Sequence, residues 1–149
     1  MADAGPASGM QLHLEKVLDV APERAFGAFV DAEQLRRWWG PAGFSVPHLQ
    51  FDPVEGADYR ITMQPPVGDV FHIRGTFQAV EAPRRLAFSF IYEEPDPDDQ
   101  ETLVDVTFEP TDPGTRIILD QGPFKTVARL ELHRDGWTDT LEQLERSLT

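Results

Sequence analysis

The sequence predicts an α+β fold: a curved antiparallel sheet gripping one long C-terminal helix, with two short helices after the first strand. Three observations carry this. From Phe44 to Gln121 apolar residues recur at every second position and Pro/Gly-rich turns interrupt them, the pattern of successive hairpins. From Thr126 to Leu148 the period becomes helical, and Trp137, Leu141, Leu144 and Leu148 make one apolar stripe. Between the first strand and the hairpins, Trp38 and Trp39 close a helical stretch at Gly40-Pro41, and two adjacent indoles need an apolar cover.

The elements follow in order. Leu12, Leu14, Leu18 and Val20 against His13, Glu15 and Asp19 predict a first strand over 11–20. Pro22 suits the first position of a helix, and Glu23 suits its positive end. Asp31 with Gln34 resembles a capping box for the second helix. Leu35, Trp38 and Trp39 turn one face of that helix inward, with one indole in the core and the other toward the loop ending at Phe44. Pro47 marks the next strand as an edge or a bent one. Tyr59, Ile61 and Met63 alternate with polar residues, and Pro65-Pro66 with Gly68 makes a turn. Val70 to Val80 is a long strand with a bulge expected at Gly75, placing Phe71 and Ile73 inward and His72 and Arg74 outward. Leu86, Phe88, Phe90 and Tyr92 form one clean face, and Leu103–Phe108 and Thr115–Gln121 pair through Thr111-Asp-Pro-Gly114. Gly136 weakens the last helix by about 1 kcal/mol relative to alanine, so a break or a close approach to the sheet is expected there.

Composition narrows the function. At 149 residues the chain reads as a disordered leader over 1–10 and a single domain over 11–149. The leader has no basic or apolar region of the kind a secretion signal needs. A net charge of −13 with scattered basic residues argues against nucleic acid as a partner. No apolar run is long enough for membrane insertion. With no cysteine there is no disulfide, thiolate nucleophile or cysteine-zinc site, which fits a cytoplasmic address.

Three segments together resemble a known family: Ala21-Pro-Glu-Arg-Ala-Phe26, Phe29 to Leu35, and Trp38-Trp-Gly-Pro-Ala-Gly-Phe44. Ala82-Pro-Arg-Arg-Leu-Ala-Phe88, the run Thr115–Phe124 and His133-Arg-Asp-Gly-Trp137 extend the match over nearly all of the chain after the leader. The chain is similar to small bacterial homologues of the activator of heat-shock-protein-90 ATPase. These belong to the START and birch-pollen-allergen-like helix-grip superfamily (SRPBCC). The resemblance implies that fold, and functions that range over binding of lipids, hormones and polyketides, cyclase chemistry and chaperone cofactor work. Such proteins often carry histidine near the end of the last strand. Gln121 stands here instead, which removes proton transfer at that point and keeps hydrogen bonding.

Catalytic signals are weak. No serine sits in a nucleophile elbow, and His133-Arg-Asp135 lacks every other part of a kinase site. His13, His48, His72 and His133 have no metal-ligand spacing and read as solvent-facing. The acidic run Glu93–Glu101 has prolines where a calcium loop needs its turn, and reads as a solvated, self-repelling hairpin tip. The expectation is therefore a domain without catalytic residues, metal or cofactor. It binds an apolar or aromatic small molecule between the sheet and the last helix. The expected lining is Trp38 and Phe44 before the sheet, and Tyr59, Ile61, Met63, Phe71 and Ile73 on its early strands. Phe88, Phe90, Tyr92, Val106, Phe108, Leu119 and Gln121 follow on the later strands, with Trp137 and Leu141 on the helix. Tyr59, Tyr92 and Gln121 are the polar anchors. The alternatives are a protein-interaction module, with a chaperone or a second copy of the chain as partner, and an enzyme of the cyclase or aromatase type.

Overall fold

A computed structural model describes residues 10–148. Residues 1–9 of the expected leader lie outside the described residues. Met10, counted with the leader above, packs against the core, and its carbonyl accepts a hydrogen bond from the Phe124 N–H at 2.9 Å.

The order is β1 (Leu12–Leu18), α1 (Pro22–Val30), α2 (Ala32–Trp38), β2 (Ser45–Phe51), β3 (Asp58–Gln64), β4 (Phe71–Glu81), β5 (Arg85–Tyr92), β6 (Thr102–Pro110), β7 (Thr115–Gly122) and α3 (Val127–Ser147). The seven strands make one sheet in the order β1-β7-β6-β5-β4-β3-β2, with every neighbour antiparallel. The fold class read from the sequence is the one found. α1 and α2 carry the chain from one edge of the sheet to the other. No helix among the described residues is long and apolar enough to cross a membrane.

Local chemistry explains the joints. The Asp31 side chain accepts from the backbone N–H groups of Glu33 and Gln34 at 2.9 and 3.3 Å, which caps α2. The return arm of a capping box is not made, because the Gln34 amide donates to the Asp31 carboxylate instead. Gly40 takes φ of +93°, and a Cβ there would meet Met63 Cε at 2.6 Å. The register of β2 on β3 shifts between Ser45 and His48, around Pro47 at the exposed edge. The bulge expected at Gly75 lies further on, between Phe77 and Ala79. Gly75 answers a different need. A Cβ there would fall 1.9 Å from the Ser89 carbonyl oxygen, so only glycine lets β4 and β5 approach while Tyr59 crosses beneath them.

The inner face of the sheet is covered in two halves. α1 lies over β6, where Phe26 and Phe29 meet Phe108 edge-on at ring distances of 5.2 and 5.1 Å. α3, capped by the Thr126 hydroxyl, runs unbroken through Gly136 and buries Leu130, His133, Trp137, Thr140, Leu141 and Leu144. Neither a break nor a close approach occurs at Gly136: a Cβ there would meet nothing within 4 Å.

Candidate ligand-binding site

That empty space over Gly136 is part of a cavity of about 520 Å³ between α3 and the sheet. The volume falls within the range of about 300–1,000 Å³ usual for small-molecule sites. β3, β4 and β5 supply Met63, Phe71, Ile73, Phe90 and Tyr92 to its floor. Trp39, Gly40, Pro41 and Phe44 close one side from the turn after α2, and Pro65 adds to the β3 end. α3 contributes Leu132, His133, Asp135, Gly136, Trp137, Asp139 and Thr140. Leu132 and Asp135 are solvent-exposed, so the cavity opens along that side of the helix.

The expected lining residues divide into three groups. Phe44, Met63, Phe71, Ile73, Phe90, Tyr92 and Trp137 do line the cavity. Tyr59, Ile61 and Phe88 lie around a separate void of about 10 Å³, too small for more than one water. There Phe77 sits 5.5 Å from Tyr59 and 6.1 Å from Phe88, ring to ring, and fills that half of the sheet. Trp38, Val106, Phe108, Leu119, Gln121 and Leu141 line neither of these two spaces and are buried in the packed core.

The tryptophan pair explains one of these differences. Trp38 is the last residue of α2, 1% exposed, and its Nε1–H donates to the Ala28 carbonyl at 3.0 Å. Trp39 has already left the helix, with φ −67° and ψ 129°, so its side chain abandons the helical period and turns to the cavity. It meets Trp137 edge-on at 5.5 Å.

The polar anchors also change. The Tyr59 hydroxyl is committed to the Ser89 carbonyl at 2.7 Å, and burial pushes its pKa up. Gln121 is fully buried: its amide donates to the Thr102 hydroxyl at 2.8 Å, and its oxygen accepts from Trp137 Nε1–H at 2.7 Å. Gln121 thus fixes the indole that walls the cavity without reaching the cavity itself. Tyr92 does face it, and burial pushes its phenol up to about 12.

His133 is the residue that the sequence reading misplaced on the surface. It is 9% exposed and packed between Phe124, Phe90 and Tyr92 at ring distances of 4.9, 5.6 and 5.8 Å. Burial lowers its pKa to about 4, so the imidazole is neutral at pH 7. Among the described residues neither His133 nor the Tyr92 hydroxyl has a hydrogen-bond partner, and both residues also border a void of about 10 Å³ on the side of Asp99 and Arg129. A signal was present: His133 lies four residues before Trp137 on the α3 stripe. As a base such an imidazole is weak, and no serine lines the cavity.

The acidic run is a clasp, contrary to the self-repelling tip expected. Arg129 of α3 pairs with Asp96, and with Asp98 and Asp99 at 3.1 and 3.2 Å. The Lys125 ammonium donates to the Pro97 carbonyl at 2.9 Å. Glu93 is held in a two-bond pair with Arg60 at 2.6 and 2.9 Å, and Glu94 bonds the His72 ring at 3.0 Å. His72, Glu93 and Glu94 form the one candidate metal cluster among the described residues. Those same bonds already occupy its carboxylates.

The sheet, the gripped helix and the cavity between them define the helix-grip class, whose members serve as ligand-binding or protein-interaction modules. A family profile described as "Activator of Hsp90 ATPase homolog 1-like protein" matches residues 19–149, and the chain belongs to that family. The AHSA1 protein of Silicibacter pomeroyi is 30% identical, with 93% of this chain and 96% of that one covered at a TM-score of 0.83. A protein from Chromobacterium violaceum shares the fold at a TM-score of 0.87 and 22% identity, over 94% of this chain and 97% of that one. An AHSA1-like protein from Aeromonas hydrophila does so at 0.75 and 24%, over 93% and 92%. No curated protein matches the chain.

Proposed function

We propose that this protein binds an apolar or aromatic small molecule in the cavity between α3 and the sheet. The carrying observation is the cavity itself: about 520 Å³, walled mainly by aromatic and aliphatic side chains, with His133 and Tyr92 unpaired among its buried and half-buried walls and Asp135 unpaired at its exposed side. Water filling such a space finds few partners, and an apolar guest displaces it favourably. A two-ring guest burying about 250 Å² gains about 6 kcal/mol before the cost of association, so burial alone supports an affinity no tighter than about tens of micromolar. The imidazole and the phenol would orient the guest by hydrogen bonds to a hydroxyl or carbonyl.

Gly136 supplies the test. A Gly136→Phe side chain would project into the cavity while improving helix propensity, so the fold is expected to survive. An uncharged naphthalene probe should bind the wild type and lose at least about tenfold in affinity to the filled variant. Equal binding by both would place the probe elsewhere and remove the proposal. Native mass spectrometry of protein purified without detergent would then give the mass of any retained guest.

A further inference from the structure

The cavity lining is one-sided in charge. Asp135 and Asp139 stand one turn apart on α3 where the cavity opens, and no lysine or arginine among the described residues lines it. Asp139 accepts the Ala42 N–H at 2.8 Å, a bond that leaves its negative charge in place. Asp135 is exposed and has no ion-pair or hydrogen-bond partner among the described residues. Like charges at that helical spacing repel, so α3 gains nothing from the pair. Behind them lies His133, 9% exposed, lining the cavity and without a hydrogen-bond partner of its own. Neutral at pH 7, it adds no positive charge to offset the two carboxylates. The remaining charge of the molecule acts in the same direction, at −13 overall.

We infer that the cavity selects a cationic aromatic small molecule, its rings in the apolar chamber and its protonated amine at the Asp135–Asp139 rim. A carboxylate of the same shape is disfavoured. The inference rests on the small-molecule reading above and adds the charge of the guest. The aromatic walls work in the same sense, since ring faces attract cations and repel anions.

Three congeners with one ring system test it: 2-naphthylmethylammonium, 2-naphthylmethanol and 2-naphthoate, titrated calorimetrically into the full chain. The ammonium should bind about fivefold more tightly than the alcohol, with the carboxylate weakest, as expected for a charge met about one contact away in a wet site. Added salt should compress the series. Asp135→Asn should narrow the ammonium's advantage, whereas Glu142→Gln, on the exposed outer side of α3, should leave it as it was. Equal affinities, or the carboxylate first, would overturn the charge selection and leave the cavity proposal standing. Binding by none of the three would overturn both.

Discussion

His133 sits where a polar group is costly. A buried imidazole without a hydrogen bond is worth about 1–3 kcal/mol of lost solvation. His133→Leu is therefore expected to raise the unfolding free energy at pH 7 by about 1 kcal/mol while weakening ligand binding. The pH dependence follows from the same burial. The folded pKa of about 4 lies below the ordinary value of 6.5, so the unfolded chain takes up this proton first as pH falls. The stability conferred by the neutral ring is whole above pH 6.5 and drains away toward pH 4, by roughly 3 kcal/mol in total. Urea titrations across that window should show the loss in the wild type and not in His133→Leu. Parallel slopes for the two would refute the assignment. At this scale the sequence was legible in part. Trp137 and Phe90 were readable from their stripes, but Trp39 was hidden by a change of backbone conformation, and Gln121 by partners distant in sequence.

Among the elements, α3 does three jobs along its length. Its first turns hold the β5–β6 connection through Arg129, its middle walls the cavity at Gly136, and its end packs Leu141 and Leu144 into the core. Arg129 is only 15% exposed, and Asp99, one of its partners, 8%. Arg129→Gln should release the acidic connection, raising amide exchange over 94–100 by about tenfold while β6 and β7 stay protected. Unchanged exchange would mean that the prolines alone shape this segment. Periodicity revealed the existence and type of these elements, because each buries one face. It could not reveal the clasp, since a run of acids looks solvated until the arginine that meets it is placed. Nor could it locate the bulge at Phe77–Ala79, which leaves no glycine as a marker.

For the molecule as a whole, the fold class was readable because alternation, turn chemistry and helical stripes all agreed. The cavity was readable only as a possibility: a period of two says which side chains face inward, not whether their tips meet. Here they meet around Phe77 and Phe88 and fail to meet opposite Gly136. A guest in that gap stabilises the whole chain by mass action, about 2.7 kcal/mol at one hundred times its dissociation constant. For a chain of this length that corresponds to a rise in Tm of roughly 5–10 °C, which differential scanning calorimetry would measure directly. A saturating probe that leaves Tm unmoved would show that it does not prefer the native state.

The pairing of β1 with β7 sets a schedule as well as a shape. Leu12 lies opposite Gln121, so β1 has no seat in the sheet until β7 has been synthesised. The hairpins from β2 to β7 can zip locally, but β1 must remain available and unaggregated until β7 emerges. Its alternating charges, Glu15 and Lys16 beside exposed His13, suit it to that wait. Completion of this sheet is thus gated by β1, which waits for a partner made long after it.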